Sequence, residues 1–198
     1  MARLRKAILL TLAFVLVTML VFATAFFIVH RPDSRLATSE QYAVYSAYLK
    51  SEFADNFHDY GTGKGFVLLI QDRTTVARVA ASRLQRLKTD APTLKDATLV
   101  NFVAQNIVSH VLDKRFDLSV HYELLPEQQL VKPESIEERF PAHAGYVTFS
   151  RVGFNRDLSQ ALFYTEHICG LCGGGGYVLM ERGFGQWRVK AFLSTWVS

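Results

Sequence analysis

Cysteine is scarce in this chain, and what is missing around it removes several chemistries. Of 198 residues only Cys169 and Cys172 are cysteines. There is no second Cys-x-x-Cys, so a four-cysteine zinc site cannot form within the chain. Gly173 follows the second cysteine where a haem-attachment motif needs histidine. No cysteine lies near the N-terminus, which excludes a lipidated cysteine there. No Gly-x-Ser-x-Gly elbow and no His-Glu-x-x-His occurs, so nothing points to a hydrolase elbow or a zinc protease helix. "GTGKG" (61–65) and "CGGGGY" (172–177) are both glycine-rich, but neither has the Gly-x-x-x-x-Gly-Lys-Ser/Thr spacing that cradles phosphate. No Asn-X-Ser/Thr acceptor exists, and no internal repeat is visible.

Acidic residues are missing from the first 32 positions. The run Ala7 to Val29 has neither charge nor proline and follows Arg3, Arg5 and Lys6. As a helix rising 1.5 Å per residue it reaches across a hydrocarbon core of roughly 30 Å. Basic residues ahead of it favour a cytoplasmic N-terminus. Residues 1–6 therefore read as a cytoplasmic tail, 7–29 as a transmembrane signal anchor in contact with the lipid bilayer, 30–38 as a juxtamembrane linker and 39–198 as an extracytoplasmic domain. The rival is a cleaved signal peptide with Ala23–Ala25 as the small-residue site. Against it, the apolar run continues through Phe26, Phe27, Ile28 and Val29 and exceeds the usual signal core of roughly 7–15 residues.

The chain carries 22 basic and 18 acidic residues, net +4. Three of the basic ones precede the anchor, leaving 19 against 18 beyond it. A near-neutral domain lacks the basic stripe of a nucleic-acid binder.

Along that domain, Tyr42, Tyr45, Leu49 and Phe53 recur at helical spacing, with Ser39 as a candidate N-cap. "FVLLIQD" (66–72) is short and continuously apolar, which suits a buried strand. A helix is expected over 74–88. A third is expected to carry the stripe Leu99, Phe102, Val103, Ile107 and Val111. "DLSVHYELL" (117–125) reads as a strand, and a polar connection with three prolines follows. "YVTFSRVGF", "QALFYTEHI", "YVLMERG" and "QWRVKAFLSTWV" then read as an antiparallel meander. Helices first and strands afterwards predict an α+β fold, with helices packed on one face of a mostly antiparallel sheet.

The stretch "HICGLCGGGGY" (167–177) then joins two strands of the meander. Its glycines Gly170 and Gly173, Gly174, Gly175 and Gly176 are expected to supply backbone freedom for a turn, stapled by a Cys169–Cys172 disulfide, and to form the best contact surface for a partner. A redox reading takes Cys169 as nucleophile and Cys172 as resolving thiol, but no helix pattern follows to lower a thiol pKa. A metal reading takes His167, Cys169 and Cys172 and needs a distant fourth ligand such as His121 or His143. Ser150 reads as a solvent-facing hydroxyl. Glu166 and Glu181 are expected to face each other across the meander, solvated or paired with arginines such as Arg182.

Ser150–Asn155, Ala161–Tyr164, Cys169–Gly176 and Gly185–Val189 together resemble an uncharacterised family of bacterial membrane-anchored or exported proteins with a SRVGFN, ALxY, CGxxCGGG, GxWxV pattern. "YAVYSAYL" and "LLIQDRT" fit its N-terminal half. The resemblance implies a bacterial inner-membrane protein facing the periplasm, and it carries no catalytic residue. "GQWRV" also resembles the last strand of cone-shaped α+β domains of the cystatin/NTF2 type, although the long helical N-terminal half departs from that pattern. The sequence thus predicts a membrane-anchored binding or structural module, leaning away from enzyme activity. It is expected to carry no cofactor and to have an unknown protein or small-molecule partner. The alternative is a thiol–disulfide oxidoreductase using Cys169 and Cys172.

Overall fold

One strand pairs in parallel along both of its edges, and that decides the architecture. In the computed structural model, which describes residues 15, 17, 18, 34–53, 67–77, 81–130, 133–169 and 172–198, strand β1 (Val67–Gln71) runs parallel to both β2 (His121–Leu125) and β3 (His143–Phe149). Strands β4 (Gly153–Phe154), β5 (Gln160–Cys169), β6 (Cys172–Gly183) and β7 (Gln186–Val197) join antiparallel. The sheet order is β2-β1-β3-β5-β6-β7, with β4 pairing β5 beyond the end of β3. The fold is α+β, with a mostly antiparallel mixed sheet and a C-terminal meander. Parallel strands need crossovers, and α2 (Ala81–Asp90) and α3 (Asp96–Gln105) lie in the long connection between β1 and β2.

Helices cover both faces of the sheet, not one. Side chains alternate along a strand, so each strand divides its residues between two layers. Leu68, Ile70, Val147, Phe149, Phe163, Val178 and Met180 pack with α1 (Ser34–Glu52) through Tyr42, Tyr45, Tyr48 and Leu49. Their neighbours Leu162, Tyr177 and Leu179 face the opposite way and pack with Leu87, Leu99 and Phe102 of α2 and α3. Farther along that second face, Leu69 packs with Leu130 of α4 (Glu127–Leu130) and Ile136 of α5 (Pro133–Arg139). A sheet apolar on both sides requires two covers.

Helix α1 begins at Ser34 and so takes in part of the expected 30–38 linker, ahead of the expected cap Ser39. Its aromatic stripe is core, as the spacing predicts: Tyr45 stacks on Phe149 with ring centroids 4.4 Å apart and donates its hydroxyl to the Ser150 carbonyl at 2.6 Å. Strand β5 caps α3 from across the fold, because Gln160 Oε1 accepts from Lys95 N and Thr98 Oγ1. The helix stops at Gln105, where Asn106 turns its side chain to the carbonyls of Phe102 and Arg151. The predicted stripe therefore breaks: Leu99 and Phe102 are buried, whereas Val103, Ile107 and Val111 are 39%, 69% and 60% exposed.

The chain divides into two units, Met1–Arg31 and Pro32–Ser198. The expected anchor Ala7–Val29 lies outside the described residues except for Val15, Val17 and Thr18, which are helical. Among the described residues no helix is long and apolar enough to cross a membrane.

Candidate functional site

Cys169 and Cys172 sit directly opposite each other at the end of the β5–β6 hairpin and form a disulfide with a Cα–Cα distance of 5.1 Å. Gly170 lies outside the described residues. Cys172 is exposed and Cys169 partly buried, and neither stands at a helix N-terminus. The dipole that lowers a catalytic thiol's pKa is therefore not supplied here. His167 does not form a ligand set with the two sulfurs. Its Nε2 bonds to the Ala144 carbonyl and its ring packs edge-on against Phe53. No group of three potential ligands able to hold a metal occurs among the described residues.

Gly173, Gly174, Gly175 and Gly176 are not a turn. They are strand residues of β6, paired with Ile168, His167, Glu166 and Thr165 on one side. Gly174, Gly175 and Gly176 pair with Val197, Trp196 and Ser194 on the other. None has a positive φ, so backbone freedom is not their purpose. Room is. A Cβ on Gly175 would lie 2.5 Å from Trp196 Nε1, 2.9 Å from Glu166 Cγ and 3.0 Å from Tyr164 Oη. One on Gly174 would meet nothing nearer than 3.4 Å.

The space that Gly175 leaves holds a polar cluster. Tyr164 Oη and Trp196 Nε1 both donate to Glu166 Oε1, at 2.9 and 3.2 Å. Thr195 Oγ1 donates to the Gly175 carbonyl and touches Tyr164 Oη. Glu166 pairs with Gly175, while Glu181 pairs with Gln160 and Arg188, so the two carboxylates do not face each other. Arg182 pairs instead with Glu40.

Glu166 opens onto a cleft between the two helical covers of the second face. The cleft consists of two adjoining hollows of about 410 and 520 Å³ that share Thr75, Val76 and Glu166. This is the size of small-molecule sites. Its floor is the sheet, through Tyr146, Thr148 and Ile168. One wall is the strap Asp72–Val76 that leaves β1, and another is Pro126–Gln128 after β2. Arg83 of α2, with Tyr164 and Tyr177, borders the smaller hollow. The cleft thus lies at the carboxyl ends of the parallel strands, where open sheets commonly bind ligands.

Three buried side-chain polar atoms have no hydrogen-bond partner among the described residues: Asp72 Oδ1, Thr75 Oγ1 and Thr148 Oγ1. All three residues line the larger hollow. Buried polar atoms are paired as a rule, because an orphan forfeits its hydration, at about 1–3 kcal/mol. Burial pushes the Tyr146 phenol above its ordinary value, and the charges of Glu166 and Glu127 push it further. Burial also raises Tyr164, opposed by the bond from Thr195 and aided by Glu166. Both phenols stay neutral donors. The strap itself is held by Thr74, whose N–H donates to the His110 carbonyl and whose hydroxyl accepts from the His110 N–H.

Sequence reasoning missed this cleft. Asp72, Thr75 and Thr148 carry no motif, and only the fold brings them together. Ser150 is also not the expected surface hydroxyl. It is fully buried, and its Oγ accepts from Tyr164 N at 2.7 Å, replacing a ladder bond where β3 gives way to β4. No family model, no curated protein and no solved structure matches the chain.

Proposed function

We propose that this protein is a membrane-anchored, extracytoplasmic binding module of a bacterial inner membrane, and that the cleft beneath the Asp72–Val76 strap receives a small polar ligand. The anchor reading is supported by the uncharged run Ala7–Val29 behind Arg3, Arg5 and Lys6. A disulfide suits an oxidising compartment. The family resemblance of the C-terminal half belongs to the same reading. The observation that carries the binding role is the gathering of all three orphaned atoms in one hollow. Threonine hydroxyls and a carboxylate left unpaired in the fold are groups a ligand can satisfy. Binding without catalysis fits the neighbouring cluster, where the Tyr164 hydroxyl is engaged with Glu166 and Thr195.

Thr148→Val tests this. Valine has the same shape and no hydroxyl, so the variant sheds an unpaired polar atom. The expected outcome is a free protein stabilised by about 1 kcal/mol, a melting point roughly 2–4 °C higher. Thermal unfolding of the full chain in detergent reads it. A melting point lowered by a similar amount would mean that the hydroxyl is already satisfied, and the cleft would lose its main support.

A second reading uses the disulfide. Cys172 is exposed, and a hollow of about 310 Å³ lined by Tyr48, Glu52, Thr165 and His167 opens beside the pair on the α1 face. An external thiol reaches Cys172 before Cys169. A pair readily exchanged with glutathione, and oxidising relative to about −230 mV, would favour a thiol–disulfide oxidoreductase. A pair locked as a disulfide leaves the cleft as the working site.

A further inference from the structure

We infer that the larger hollow recognises a small soluble molecule carrying a primary ammonium group. This rests on the cleft being the binding site proposed above and adds the charge of what enters it. Asp72, Glu127 and Glu166 all line that hollow. None of them takes part in any of the seven ion pairs among the described residues. Asp72 keeps one buried oxygen without a donor. Both donors to Glu166, Tyr164 and Trp196, fall on Oε1, and neither reaches Oε2.

A second observation is independent of the carboxylates. Thr148 is only 3% exposed, lines the same hollow, and its hydroxyl has no partner. An ammonium group presents three donors and no acceptor, which matches a carboxylate oxygen, a second carboxylate and a hydroxyl. Tyr146 lies on the floor and offers an aromatic surface to a cation. The basic side chain lining the hollow, Arg73, is exposed and makes no ion pair among the described residues. An anionic ligand would meet three carboxylates against that one arginine. A divalent metal ion is a poorer match than an organic cation, since these carboxylates do not form a group able to hold one.

The test uses the full chain in phosphatidylcholine nanodiscs, titrated calorimetrically with matched probes: 1,4-diaminobutane against 1,4-butanediol, and glucosamine against glucose. Each amine is expected to bind at least about tenfold tighter than its hydroxyl counterpart. Asp72→Asn and Glu166→Gln are each expected to weaken amine binding by about tenfold. Glu127→Gln, at an exposed position, is expected to weaken it too and keeps the test open where Asp72→Asn fails to fold. Equal binding of amine and hydroxyl probes would overturn the ammonium inference and leave the cleft as a binding site. No binding of any probe up to about 10 mM would also overturn it, and the melting of Thr148→Val then decides the cleft separately. Competition by phosphatidylethanolamine added to the discs would overturn the soluble source in favour of a lipid headgroup.

Discussion

The two faces of the sheet are built on different terms. On the α1 face an aromatic cluster closes over the strands: Tyr45 stacks on Phe149, Tyr48 meets Phe163 edge-on, and Tyr42 meets Phe116. Its polar tips are satisfied, Tyr45 by the Ser150 carbonyl and the Trp187 indole by Glu40. On the other face two smaller apolar clusters stand apart, and the strip between them is polar, hollow and incompletely paired. One face is optimised for burial. The other gives up burial for a site, and natural folds concentrate broken local rules where they work.

The comparison can be broken from either side. The largest expected effect is on the packed face. Phe149→Ala removes a fully buried ring that contacts Tyr45, Tyr48, Phe116 and Phe163, and should lower stability by about 3–5 kcal/mol in denaturant titration. Gly175→Ala comes next. Its new methyl collides with Trp196 and Glu166 and should cost about 1–3 kcal/mol, while Gly174→Ala, at ordinary contact distance from its neighbours, should stay within about 0.5 kcal/mol. Equal losses at the two positions would show that the run is there for the backbone and not for room. Reducing the Cys169–Cys172 bond should cost at most about 2 kcal/mol, because so short a loop has little closure entropy to recover. It should leave ligand binding unchanged, since the disulfide faces α1 and the cleft faces away.

The smallest effect is titration of the strap. His110 is held below its ordinary pKa by partial burial and then by Arg151, whose guanidinium lies 3.2 Å away. A depressed histidine pKa means that the unfolded chain takes the proton first. The contribution is whole above about pH 6.5 and is lost as pH falls through the lower folded pKa. Melting at pH 7 and pH 5 should therefore differ more for the native chain than for His110→Gln.

Legibility follows the same divide. The packed face was readable: Tyr42, Tyr45, Leu49 and Phe53 declare their stripe by spacing, and the ends of β5 and β7 fall where the apolar runs end. The sequence pattern overextends helix α3, because Val103, Ile107 and Val111 continue its periodicity while Asn106 ends it through a bond to Arg151, far along the chain. In the sequence the glycines suggest their commonest virtue, backbone freedom. What Gly175 supplies is absence of bulk beside Trp196 and Glu166, and that depends on neighbours brought in by pairing. A second cover for the sheet was equally hidden, since β1 paired in parallel on both sides has no local signature beyond its unbroken apolar run.

The walls of the cleft come from the strap after β1, the start of α4 and the middles of β3 and β5. No fragment of the chain owns it. It comes into being only when the sheet has closed from β1 to β5, so an unfolded or half-zipped chain offers a ligand nothing to hold. Whatever binds there binds the native state alone, and each increment of occupancy returns as resistance of the whole sheet to melting. For this protein a thermal shift is therefore an affinity measurement.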